Sequence, residues 1–181
     1  AGSHEVTDLD GRKIEHRIVT IEWNVDAAEK GGFETFMLKE IHEQPRVIRD
    51  TLRGRISADR KDILLKDMNL SAEELRKIKK MFIVSCGTAY YAGFTGKYLL
   101  EHYTGLPVET DLASEFRYRS PKMDERTLVF TVTQSGETAD TLASIRMARA
   151  KGCKVVSICN VVGSSIARES DGVVYTYAGP E

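Results

Sequence analysis

The sequence predicts an α/β domain: a five-stranded parallel sheet with helices on both faces, preceded by a helical lead-in and an N-terminal hairpin. Three observations carry this. From residue 81, short apolar runs alternate with helix-period runs, as in "MFIVSCGT" followed by "AYYAGFTGKYLLEHYTG". The apolar runs are near-continuous, which marks strands buried on both faces. Three of them end in glycine and hydroxyl residues, the punctuation of a strand turning into a helix.

The elements follow in order. The opening "AGSH", residues 1–4, reads as an expression scar and predicts that the chain is a piece of a longer protein. Residues 5–23, "EVTDLDGRKIEHRIVTIEW", predict a hairpin turning at "DLDG", and "DAAEKGG" predicts a linker. A lone hairpin is marginal in water, so residues 5–32 read as the tail of a preceding domain. Residues 33–80 form the lead-in, with Phe33, Phe36, Met37 and Ile41 at helical spacing. Pro45 is expected to break or kink that helix and to open the next, "RVIRDTLRGRI". Ser71 and Glu74 spell a capping box for a helix over about 72–80.

The sheet region, 81–181, then reads as follows. "MFIVSCGT" is the first strand, and the following helix stops at a glycine. "LPVETDLASEF" is the second strand and "TLVFTVTQSG" the third. "ETADTLASIRMARAKG" is a helix stopped by Gly152. "CKVVSICNVVGSS" is the fourth strand, "SIARESD" a short helix and "GVVYTYAG" the fifth strand.

Composition narrows the function classes. The chain has 181 residues and a formal net charge of −1, so no basic footprint for nucleic acid or an anionic membrane is present. No run approaches a membrane span and no signal peptide is visible. Three cysteines, Cys86, Cys153 and Cys159, are odd in number, sit in apolar runs and lack metal-ligand spacing. They predict a reducing, cytoplasmic setting without disulfides, and the reading calls for no metal and no cofactor.

All strand ends of a parallel sheet lie on one edge. With strand order 2-1-3-4-5, the helices after strands one and three leave on opposite faces, and a crevice opens between the loops "CGTAY" and "TQSGET". The first turn of a helix has unpaired N–H groups and a dipole that favours an anion. Small residues admit a phosphate and hydroxyls add donors. Neither loop holds Lys or Arg, which suits a sugar monophosphate better than a polyphosphate with magnesium. Two readings of Thr133, Gln134, Ser135 and Thr138 therefore stand: a phosphate cradle, or Ser135 and Thr138 as plain helix caps. Glu137 must turn its charge away from a phosphate, toward solvent or a backbone cap. "GxxxxGK[ST]" and "GxGxxG" are absent, which disfavours nucleotide sites of those kinds.

"FMLKEIHEQP", "CGTAYYAG", "ASEFRYR", "QSGETADTLASIR" and "ICNVVGSSIARESD" closely resemble the glucosamine-6-phosphate synthase family of glutamine:fructose-6-phosphate amidotransferases. The resemblance implies that residues 5–32 end a glutaminase domain and its linker. It implies that 81–181 form the first of two sugar isomerase (SIS) subdomains, with a flavodoxin-like three-layer fold. The family makes glucosamine 6-phosphate from fructose 6-phosphate and glutamine. By motif, the sugar-phosphate contacts fall on Thr88, Ala89, Thr133, Gln134, Ser135 and Thr138. Ala89 departs from a frequent Ser, which loses one hydroxyl contact; Thr133 also replaces a frequent Ser and retains the donor. The family's acid/base glutamate, ring-opening histidine and Schiff-base lysine belong to the second subdomain, and its nucleophilic cysteine to the glutaminase domain. No catalytic residue is therefore assigned here, and the isolated chain is expected to bind without turnover. The resemblance further implies a homodimer through the isomerase domains.

Two other function classes compete. One is a non-catalytic SIS phosphosugar sensor of a transcription regulator, disfavoured because no basic recognition helix precedes the sheet. The other is a structural dimerisation module. Among tempting side chains, Cys86 reads as a buried structural thiol and His42 as a packing residue at the edge of the lead-in stripe. Glu115 reads as the partner of Arg117 or Arg119, or as a subunit contact, and one of Tyr90 and Tyr91 as packed on the sheet.

Overall fold

A computed structural model describes residues 5–15 and 29–179. Of the expected hairpin, the turn is described: Thr7 bridges Lys13 in antiparallel fashion, and Gly11 N donates to Asp8 O at 3.0 Å. Its second strand, "HRIVTIEW", lies outside the described residues.

The lead-in begins with α1 (Phe36–Leu52), capped by the Thr35 hydroxyl, which accepts from Leu38 N at 3.1 Å. The break expected at Pro45 is absent; the helix runs through it. Proline removes the N–H that would bond the Ile41 carbonyl. Ile41 is half-exposed, so the freed carbonyl is not stranded in an apolar core. The apolar stripe is largely open, with Met37 at 72% exposure, and Phe33 stacks on His42 at 5.2 Å between ring centres. Hydroxyl and guanidinium groups around the C-terminal end of α1, on Thr51 and Arg55, donate to the carbonyls of Thr176 and Tyr175. A 3₁₀ turn (Lys66–Met68) and α2 (Ala72–Lys77) follow, the latter with the Ser71–Glu74 capping box in place. It stops short of residue 80 because Ile78 turns extended and feeds the first strand.

From there the chain alternates: β1 (Lys80–Ser85), α3 (Thr88–Thr104), β2 (Val108–Leu112), α4 (Ala113–Arg119), β3 (Thr127–Thr133), α5 (Ala139–Ala150), β4 (Lys154–Cys159), α6 (Ser165–Glu169) and β5 (Gly172–Tyr175). Strand two ends earlier than expected. Ala113 and Phe116 are one helical turn apart and both wholly buried, so "ASEF" begins α4 instead of extending the strand.

All five strands pair in parallel in the order β2-β1-β3-β4-β5. One face presents Phe82, Val84, Val129 and Val155 to Phe116 of α4, Ile145 of α5 and Ile166 of α6. The other presents Met81, Ile83, Val108 and Val156 to Leu100 of α3 and to Met68 and Leu70. Thus α3 and α5 leave neighbouring strands on opposite faces, as right-handed crossovers demand when the strand order reverses. The switch point lies between the ends of β1 and β3, where Ser85 pairs with Val132.

Candidate functional site

An open cleft of about 270 Å³ lies at that switch point. Thr88, Ala89, Thr133, Gln134, Ser135 and Thr138 all line it, so the six positions named from sequence come together in one place. No charged side chain lines the cleft, which keeps its donors neutral.

Each wall has a local cause. Gly87 precedes α3 with φ 59° and ψ −138°, a conformation essentially reserved for glycine, and lets the chain turn sharply from β1 into the helix. The N-termini of α3 and α5 therefore both open at the cleft. Thr138 is the residue before α5, yet its side chain makes no capping bond. The plain-cap reading of Thr138 fails on that point: its hydroxyl is left for the cleft. The Ser135 hydroxyl accepts from Glu137 N at 3.3 Å, and the Thr133 hydroxyl accepts from Gly136 N at 3.2 Å. These bonds curl the 133–137 backbone around the mouth, and each hydroxyl still has a proton to donate.

Glu137 does not line the cleft. Its Oε1 accepts from Ser165 N at 2.8 Å, and this backbone bond holds the carboxyl below the usual carboxylate range.

Four lining residues were not assigned to the site from sequence: Gly87, Val132, Thr141, and Cys86, which was read as a buried structural thiol but is only half-buried, because it follows the last residue of β1 at the open end of the sheet. Thr141 had a usable signal, since it lies one helical turn beyond Thr138. Its hydroxyl, 1% exposed in residue terms, sits 3.9 Å from Cys86 Sγ. Cys86 is half-buried in the cleft wall, whereas Cys153 and Cys159 are buried, and burial pushes the Cys153 thiol up to about 11. Among the described residues, no group of three or more His, Cys, Asp and Glu could hold a metal ion.

The pairing expected of Glu115 is not found among the described residues. Arg117 pairs with Asp140 at 2.8 Å, tying α4 to α5, and Arg119 pairs with Asp111 at 2.7 Å on β2. Of the two tyrosines opening α3, Tyr90 is half-buried and stacks on Phe94, while Tyr91 is 69% exposed. A second cavity of about 320 Å³, between α1 and residues 178–179, shares Gln134 with the cleft.

Fold and cleft together define a doubly wound α/β domain with an uncharged, hydroxyl-lined pocket at its topological switch. A family model described as SIS domain matches residues 74–181, and the chain belongs to that family. The chain is 56% identical, over 99% of its length, to a glutamine–fructose-6-phosphate aminotransferase [isomerizing] from Caldanaerobacter subterraneus subsp. tengcongensis, covering 29% of that protein. It is 55% identical over 96% of its length to the enzyme of the same name from Clostridium tetani, covering 28% of it. Among solved structures, the C-terminal domain of glucosamine-fructose-6-phosphate aminotransferase from Francisella tularensis superposes with a TM-score of 0.76 at 40% identity. That match covers 84% of this chain and 42% of the other. The chain thus spans under a third of the length of the curated relatives it matches.

Proposed function

We propose that this chain is the phosphosugar-binding part of a glutamine:fructose-6-phosphate aminotransferase (isomerizing). In this reading Thr88, Ala89, Thr133, Gln134, Ser135 and Thr138 hold fructose 6-phosphate and glucosamine 6-phosphate by the phosphate. The single observation that carries it is the cleft itself: two helix N-termini and the hydroxyl or amide side chains of Thr88, Thr133, Gln134, Ser135 and Thr138 converge on one space free of charged groups. The relatives' name supplies the reaction class. First-turn amides and hydroxyls grip the ester oxygens, and the helix dipoles offset their charge without a metal. Residues 5–32 would close a glutaminase domain and its linker, and 81–181 would form the first SIS subdomain. The whole protein would work in the cytoplasm as a homodimer through its isomerase domains. Among the described residues, no helix is long and apolar enough to cross a membrane.

Titration of the purified chain with glucosamine 6-phosphate tests the site. Each hydroxyl bonded to a charged oxygen contributes about 1.5–3 kcal/mol, so Ser135→Ala with Thr138→Ala is expected to weaken binding by a hundredfold or more. Equal affinity of wild type and double variant, or no binding by wild type, removes the cradle.

A further inference from the structure

We propose that Glu137 is a positioning residue for the cradle: its carboxylate braces the 134–138 loop against the first turn of α6 instead of facing the bound anion. The proposal rests on reading the cleft as a phosphosugar site. A carboxylate between two ligand-binding hydroxyls, Ser135 and Thr138, is a puzzle, because like charges at short range repel.

The β4–α6 loop resolves it. None of residues 160–165 lines the cleft, although "NVVGSS" resembles the other two strand ends in composition. The loop instead grips the cradle from behind. Gln134 O accepts from Asn160 N at 3.3 Å and from Val161 N at 3.4 Å. Gly136 O accepts from Ile166 N at 2.9 Å, and Glu137 Oε1 accepts from Ser165 N at 2.8 Å.

Those last two bonds use the first two amides of α6, and the next, Ala167 N, is taken by the Ser164 hydroxyl at 3.4 Å. The start of α6 is therefore spent on holding the cradle loop, with the negative charge of Glu137 seated against it. Gly136 makes the approach possible, since a Cβ there would lie 2.0 Å from Ser164 Oγ.

Proximity alone and bracing predict opposite signs. If the carboxylate acted only as a nearby charge, deleting it would tighten phosphate binding. If it braces, deletion loosens the loop and weakens binding, while a neutral acceptor rescues it. In glucosamine 6-phosphate titrations of the purified chain, Glu137→Ala is expected to lose roughly tenfold in affinity and Glu137→Gln to stay within about twofold of wild type. Amide hydrogen exchange of Ser165, read without ligand, is expected to speed up in Glu137→Ala and to remain wild-type-like in Glu137→Gln. Glu137→Ala binding as tightly as wild type or tighter, Gln falling as far as Ala, or unchanged Ser165 exchange in Ala each overturns the proposal. Wild type failing to bind overturns the phosphosugar reading instead, and Ser165 exchange then still decides whether the brace exists.

Discussion

Ser85 closes β1 beside the cleft, 1% exposed, and its Oγ is the one buried side-chain polar atom without a hydrogen-bond partner among the described residues. A stranded hydroxyl costs about 1–3 kcal/mol, so Ser85→Ala is expected to raise stability by about 1 kcal/mol, read as a higher urea midpoint at unchanged slope. A lower midpoint would refute this. Gly136 shows the opposite sensitivity. Its φ is 70°, and a Cβ there would stand 2.0 Å from Ser164 Oγ and 2.9 Å from Cys159 Sγ, so alanine meets both backbone strain and buried atoms. Gly136→Ala is expected to cost roughly 2–4 kcal/mol of unfolding free energy, measured the same way. Legibility at this scale was uneven. The hydroxyls of "TVTQSGETADT" are visible in the sequence, but their division of labour is not. Thr131 is wholly buried and bonds Ser157 Oγ at 2.6 Å, while Thr133 and Thr138 reach the cleft. Thr131 and Thr133 share a face of β3, and position along the strand separates them: Thr133 ends β3 at the sheet edge where the cleft opens, while Thr131 lies inside the sheet beside β4.

Short elements with local chemistry were the most legible. The α2 capping box was spelled by Ser71 and Glu74, and both reciprocal bonds are present. The Ser71 backbone N–H, then its hydroxyl, then Lys154 hold the Glu74 carboxyl down from 4.5 to about 2. A carboxylate depressed on folding adds stability that is fully present above its unfolded value and is lost as pH falls through the folded one. Between about pH 4.5 and pH 2 the wild type should therefore lose stability more steeply than Glu74→Gln, as denaturant midpoints at stepped pH would show. Identical slopes would remove the cap's contribution. Where a distant partner decides, local rules failed. Proline rules forecast a break at Pro45, but solvent reaches the turn that carries it. The run "LASEF" suits a strand by composition, yet Phe116 belongs to α4 and packs its ring against Phe82 of β1, 5.3 Å between ring centres. Arg117 and Arg119 found Asp140 and Asp111, which no sequence neighbourhood singles out over Glu115.

For the whole molecule, the proposed role predicts a half-site. The purified chain, given fructose 6-phosphate and ammonia, is expected to form no glucosamine 6-phosphate; product above the uncatalysed background would overturn that expectation. The strand order β2-β1-β3-β4-β5 is what brings the loop after β1 to the loop after β3, and residues 46 positions apart, Thr88 and Gln134, into one cleft. Alternating apolar runs and the handedness of crossovers left few orders open, so the architecture and the facing of the two strand-end loops could be read from the chain itself, with Thr133, Gln134, Ser135 and Thr138 on one of them; Thr88 and Ala89 came from the family resemblance. Periodicity and capping are local, and a linear pattern records them. What only the folded arrangement settled is which neighbours those residues keep: the Ser165 amide for Glu137, an uncapped Thr138, and an orphaned Ser85. Such contacts join segments far apart in the chain, and their partners are chosen by packing and register, which a linear pattern does not carry.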